Sequence, residues 1–200
     1  MDSLELHCSV LLLAGGQGAR MGGRDKGLVP WRGLPLIAYV HHVARPLSDD
    51  LMISCNRNRS CYAAYADQLV NDEVAGFPGP LAGVLSGLRR ARHPWMLVLP
   101  CDAPRVDRML LQALLAGCRN GAQRPLMVRQ QAQWQPMFSL VPQRLLPAMD
   151  TAWKLGERSL LRVLLAADAR ALDCAADDPR LENFNTPQHL DALPALAVLS

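Results

Sequence analysis

Residues 9–13 read SVLLL and run directly into Ala14, Gly15 and Gly16. A short, unbroken apolar run stopped by paired glycines is the pattern of a strand covered on both faces, and such strands belong to parallel sheets flanked by helices. The pattern returns at 95–99, WMLVL, closed by Pro100, and a further strand candidate covers 51–55. Between these runs the apolar spacing becomes helical. Leu36, Ile37, Val40 and Val43 mark a helix expected over 34–47, with Pro35 near its start. Leu81, Val84, Leu85 and Leu88 mark another over 80–92, opened by Pro80, and 106–118 supplies a third. This alternation predicts a parallel sheet with helices on both faces, and in such sheets ligands bind beyond the carboxyl ends of the strands.

Farther along, strands are expected at 126–129 and 136–141, flanking the polar stretch QQAQWQ, then helices at 143–153 and 159–167 and a short strand at 171–173. Residues 174–180 read as a loop and 186–193 as a closing helix. The expected architecture is α/β, a Rossmann-like three-layer sandwich with a mostly parallel sheet and a small β addition near 126–141. No repeat, low-complexity tract or linker interrupts the 200 residues, half of which are apolar, so a single domain over 1–200 is expected.

The charge balance, 21 Lys and Arg against 18 Asp and Glu, is only slightly basic. A nucleic-acid binder gathers its cations on one face, whereas here the densest basic stretches are merely 20–26 and 89–92, so no nucleic-acid partner is expected. No apolar stretch reaches the roughly 20 residues of a membrane helix, and the first residues lack a basic region ahead of their apolar run, so neither membrane nor secretory signal is expected. The six cysteines, at 8, 55, 61, 101, 118 and 174, form no C-x-x-C pair. They read as reduced thiols, and the chain as cytoplasmic.

Glycines stand at 15, 16, 18, 22 and 23, with Arg20, Arg24 and Lys26 threaded among and just after them. Such a backbone can turn successive amides inward as a nest for anions, and the cations add full charges, so phosphate is the natural guest. Two familiar phosphate loops are excluded. Lys26 lies between Asp25 and Gly27, which breaks the Gly-Lys-Ser/Thr pattern, and Met21 stands where the dinucleotide fingerprint starting at Gly16 needs its last glycine. Asp102, in PCDAP directly after the WMLVL strand, opens onto the same sheet edge as the glycine loop. A lone hard carboxylate there suits Mg²⁺, which typically keeps waters and shares phosphate oxygens.

The segment LAGGQGARMGGRDKGL resembles the signature loop of the molybdenum cofactor guanylyltransferase (MobA-like) family. NDEVAGFPGPLAGVLSGL at 71–88, PCDAP at 100–104 and NFNTPQHL at 183–190 resemble that family's later motifs, in the same order and over almost the whole chain. The resemblance implies a nucleotidyltransferase that moves GMP from GTP to molybdopterin-bound molybdenum, with Mg²⁺ as cofactor. It implies GTP and the molybdopterin cofactor as partners, and chaperones or other cofactor-biosynthesis proteins as recipients.

Site residues follow from it position by position. Asp102 is the implied Mg²⁺ ligand and Lys26 a GTP contact. Arg20 and Lys26 balance the triphosphate charge as pyrophosphate leaves, whereas Arg24 has no counterpart and is read as surface. Leu13, Ala14, Gly15, Gly16 and Gly18 are expected to meet the nucleotide largely through backbone atoms. Asn56 and Asp72 match nucleotide-contacting positions; Asp72 could accept from the guanine edge or from ribose. Asn183 and Asn185 frame Phe184 in the closing motif, and related enzymes often carry at position 185 an Asp that serves as a second metal ligand. The stretch RQQAQWQPMFSL at 129–140, amide-rich with Trp134 expected exposed, reads either as a pterin contact or as a solvent-facing hairpin. His41 and His42 receive no chemistry. Two other functions are weighed: a cytidylyltransferase acting on the same cofactor or on a sugar or polyol phosphate, and a non-catalytic nucleotide-binding regulator.

Overall fold

The computed structural model describes residues 8–14, 24–71, 79–118 and 123–184. In chain order its elements are β1 (Cys8–Leu13), β2 (Pro30–Trp31), β3 (Leu34–Pro35), α1 (Leu36–Ala44), β4 (Leu51–Ser54), α2 (Arg59–Tyr62), β5 (Gln68–Val70), α3 (Pro80–Leu88), β6 (Trp95–Pro100), α4 (Arg108–Leu115), β7 (Leu126–Gln130), β8 (Gln133–Pro142), α5 (Leu146–Lys154), α6 (Leu160–Ala166) and β9 (Arg170–Cys174).

The apolar runs become the centre of a seven-stranded sheet ordered β5-β4-β1-β6-β8-β7-β9. All of its neighbours run parallel except β8, which is antiparallel to both β6 and β7. Every residue of β4 and β6 is buried, as continuous apolar strands covered on both faces require. Alternate residues serve two cores. Val10, Leu12, Ile53, Leu97 and Leu99 pack with Ile37 and Val40 of α1 and Leu110, Leu111 and Leu114 of α4. Leu11, Met52, Met96 and Val98 face the other way, onto Leu81, Val84, Leu85 and Leu88 of α3, Met149 of α5 and Leu160, Val163 and Leu164 of α6. Three layers result, as the alternation predicts.

Several boundaries differ from the expectations for identifiable reasons. The helix expected from residue 34 starts at Leu36, because Pro35 is extended and Leu34–Pro35 pairs with Pro30–Trp31 in a small two-stranded sheet. The turn between them places Arg32 at φ 47° and Gly33 at φ 86°, the double positive φ of a tight hairpin. The helix expected to reach residue 92 ends at Leu88. The β addition near 126–141 takes the form of β7 and β8 within the main sheet, and much of the polar stretch is the first half of β8, whose register against β7 shifts after Met127. Residues 174–180 include the start of a short 3-10 turn, Pro179–Leu181. The closing helix expected at 186–193 lies outside the described residues.

Helix α3 lies close to the sheet because position 83 is glycine: a Cβ there would stand 2.8 Å from Ser54 Oγ and 2.9 Å from Leu13 Cδ2. That contact fixes α3 against the ends of β1 and β4, where the site begins. No helix among the described residues is long and apolar enough to cross a membrane.

Candidate active site

Four parallel strands end together. Leu13 of β1 is in register with Pro100 of β6 and Ser54 of β4. Past the strand ends, the Cys101 N–H donates to Leu13 O at 3.1 Å, the Ala14 N–H to Ser54 O at 2.8 Å and the Cys55 N–H to Val70 O at 3.0 Å. These bonds bring Leu13, Ala14, Asn56 and Asp102 to one sheet edge, as the topology predicts. Asn56 is exposed there, Ala14 buried and Leu13 partly buried.

Asp102 is buried, at 7% exposure. The Lys26 ammonium lies 3.4 Å from its Oδ2. Burial pushes the Asp102 carboxyl above the ordinary aspartate range, and the Lys26 charge pulls it only part of the way back. The adjacent Cys101 thiol is driven up as well, first by burial and then by Asp102, and Cys55 is raised by burial. Both thiols therefore stay protonated and are not nucleophiles. All six cysteines are free.

The chain returns to this edge near its last described residues. The Phe184 N–H donates to Asp102 O at 2.8 Å, and the Phe184 ring packs with Val29, Trp31 and Leu36. Arg105 pairs with Glu182 at 2.5 Å and stacks over Phe184 at 5.3 Å. Asn183, immediately before that bond, has its Oδ1 buried with no hydrogen-bond partner among the described residues. A buried acceptor left open in this way is satisfied by water, an ion or a ligand.

The β7–β8 hairpin rises toward the same edge. Arg129 is paired with Trp134 across the strands, its guanidinium 5.2 Å from the ring centroid, and Asp173 of β9 holds it through bonds of 2.7 and 3.0 Å. Trp134, expected to be exposed, is half-buried, because its ring also packs on the α3/α5/α6 core.

The structure thus brings Leu13, Ala14, Lys26, Asn56, Asp102 and Asn183 to one edge. Gly15, Gly16, Gly18, Arg20, Asp72 and Asn185 lie outside the described residues. Two residues that sequence reasoning missed stand beneath Lys26: the Tyr62 hydroxyl donates to Asp25 Oδ1 at 2.5 Å. The only sequence signal was the adjacency of Asp25 to Lys26.

Among the described residues no three His, Cys, Asp or Glu side chains enclose a metal site. A Mg²⁺ ion shared with phosphate oxygens needs only one or two protein oxygens, and the buried Asp102 carboxylate is a hard oxygen of that kind.

The mostly parallel sheet, with a carboxylate–lysine pair just past β6, has the form of an α/β nucleotidyltransferase, and the family match shows that class. Residues 10–172 match the MobA-like NTP transferase domain, and the chain belongs to that family. A molybdenum cofactor guanylyltransferase of Pseudomonas aeruginosa is 58% identical over 189 residues, covering 94% of this chain and 96% of its own. One from Pseudomonas putida is 62% identical over 185 residues, covering 92% and 95%. Among solved structures, molybdopterin-guanine dinucleotide biosynthesis protein A of Archaeoglobus fulgidus superposes with a TM-score of 0.72 at 22% identity, over 92% of this chain and 95% of the other. A 4-diphosphocytidyl-2C-methyl-D-erythritol synthase of Anaerococcus prevotii gives a TM-score of 0.70 at 10% identity, over 92% of each chain. At those identities the likeness is one of fold.

Proposed function

We propose that this single-domain chain transfers GMP from GTP to the terminal phosphate of molybdopterin-bound molybdenum, releasing pyrophosphate. The observation that carries the reading is the buried Asp102 at the shared strand ends, facing Lys26 at 3.4 Å. The high identity to relatives named for this activity supports the choice of substrates.

An oxygen of the acceptor phosphate attacks the α-phosphorus in line with the leaving group. The new P–O bond forms as the bond to the β-phosphate oxygen breaks, and that electron pair departs with pyrophosphate. The acceptor oxygen is already anionic, so no strong general base is needed, and positioning and charge neutralisation supply the acceleration. Asp102 would hold the Mg²⁺ ion, which when bound would supply Lewis-acid neutralisation at the phosphates, with Asn183 as a further candidate oxygen donor. The Lys26 ammonium, with Arg20 and the glycine-loop amides, balances charge on the departing pyrophosphate. Leu13, Ala14, Asn56 and Asp72 orient the nucleoside, and Arg129–Trp134 offers an aromatic face with amides for the pterin. A cytoplasmic setting fits free thiols. Release of product to cofactor-biosynthesis partners completes the reading.

The test measures pyrophosphate release from each of the four nucleoside triphosphates, with and without molybdopterin. Release from GTP that depends on molybdopterin is expected. Faster turnover of CTP would replace this reading with a cytidylyltransferase, and tight GTP binding without release would make the protein a regulator.

A further inference from the structure

We propose that Asp25 and Tyr62 are positioning residues that lock the backbone on either side of Lys26, so that its ammonium is delivered to the site. The inference rests on the reading of Lys26 as a phosphate-neutralising group.

A lysine has four rotatable bonds and a point charge, so its side chain alone cannot define where that charge sits. The backbone must do so, and an error of about 1 Å in a positioned group can cost a hundredfold in rate. Lys26 opens a single 3-10 turn, Lys26–Leu28, closed by Leu28 N–H to Asp25 O and Val29 N–H to Lys26 O, each 3.1 Å. Two backbone bonds are little to hold a turn, so its order comes from tertiary contacts.

Those contacts converge on Tyr62. Its side chain is fully buried, and its hydroxyl donates to Asp25 Oδ1 at 2.5 Å. The same hydroxyl bears on the residue after Lys26: a Cβ at Gly27 would stand 2.5 Å from it and 3.0 Å from Cys101 Sγ. One phenol therefore bonds to the residue before the lysine and leaves no room for a side chain on the residue after it. Asp25 is held from a second side, where Oδ2 accepts from Asn58 Nδ2 at 3.0 Å and lies 3.7 Å from Arg57 Nε. Arg57 also donates to Arg24 O at 3.1 Å. Burial, Cys101 and Asp25 all push the Tyr62 phenol well above its ordinary range, so it remains a donor at every working pH.

The partners on the far side, Arg57 and Asn58, directly follow Asn56 in the β4–α2 connection, and Asn58 sits at φ 51° to complete that turn. The clamp thus joins the segment proposed to meet the nucleoside to the residue proposed to meet the phosphates. A tyrosine serving only as core filling would need neither an acidic acceptor before the lysine nor a glycine after it.

A double-mutant cycle in GTP turnover separates positioning from structure. Tyr62→Phe keeps the ring and removes the hydroxyl; we expect kcat/KM to fall about tenfold, and Lys26→Ala about a hundredfold. In the Lys26→Ala background, Tyr62→Phe should cost less than twofold, because there is no longer a charge to place. Asp25→Asn, which keeps the shape, should trace the same pattern more weakly, and it carries the test if the Phe variant does not fold. Equal losses in both backgrounds, or wild-type kcat/KM for Tyr62→Phe, would overturn the clamp while leaving the role of Lys26 intact. Wild-type turnover in Lys26→Ala would instead sink the reading of the site, and the clamp with it.

Discussion

Two carboxylates are buried at opposite edges of one sheet, and their surroundings could hardly differ more. Asp50, just before β4, has no exposed surface. Ser9 Oγ donates to its Oδ2 at 2.5 Å and Arg92 N–H at 2.9 Å, while Gln68 Nε2 reaches Oδ1 at 3.3 Å and Arg92 Nε lies 3.2 Å away. Asp102, just past β6, has the Lys26 ammonium at 3.4 Å and an orphaned amide oxygen close by in sequence to its Phe184 contact. The first acid is saturated with donors and ties β1, β4, β5 and the approach to β6 together. Among the described residues the second has the Lys26 ammonium and its own backbone N–H. If Asp102 receives the metal-bound triphosphate proposed above, its further partners arrive with the substrate.

The comparison breaks most sharply at Asp102→Asn. Turnover should fall about a thousandfold, the scale of removing a directed charge from a transferring group, with no loss of thermal stability. Equal activity would put Asp102 outside the chemistry. Asp50→Ala should show the reverse, because it strands several buried donors: about 3–5 kcal/mol lost in denaturant unfolding, with turnover per folded molecule unchanged. Loss of turnover without loss of stability there would erase the distinction.

A smaller effect sharpens it through pH. Because burial raises the folded pKa of Asp102 above its unfolded value, the ionised carboxylate costs stability at neutral pH. As pH falls through that raised value, the cost disappears. In metal-free buffer, Asp102→Asn should therefore melt at or above the wild type at pH 7, and the gap should close in acid. A gap that widens in acid would give the wrong sign. Smallest of all should be Glu157→Gln. Glu157 is as well supplied as Asp50, taking Arg162 at 2.7 and 2.8 Å and the Arg158 and Ser159 N–H groups at 2.7 Å, yet its carboxylate is solvent-accessible. These bonds hold its pKa at about 2, so its modest contribution is present above the ordinary glutamate range and lost as pH falls toward 2. A melting-temperature loss rivalling that of Asp50→Ala would show that burial is not what separates the two.

What the sequence revealed follows the same physics. WMLVL was legible because a strand covered on both faces has no polar positions to confuse it. β5 was missed because its three residues are too few to show a period, and only Val70 is fully buried. The start of β8, residues 133–135, was missed because none of them is fully buried and their composition reads as loop. Asp102 could be placed because the end of a strand is a sequence-local fact. The Tyr62–Asp25 bond could not, because it joins residues 37 apart through a contact that exists only once β4, α2 and the returning loop are assembled.

The account stands on Asp102 and Lys26 receiving a metal-bound triphosphate at the strand ends. Crystals grown with GTP and Mn²⁺, measured for anomalous scattering, test this directly. A manganese peak on the Asp102 carboxylate, with the triphosphate alongside Lys26, is the predicted result. Nucleotide and manganese bound together elsewhere, with Asp102 still paired only to Lys26, would contradict it.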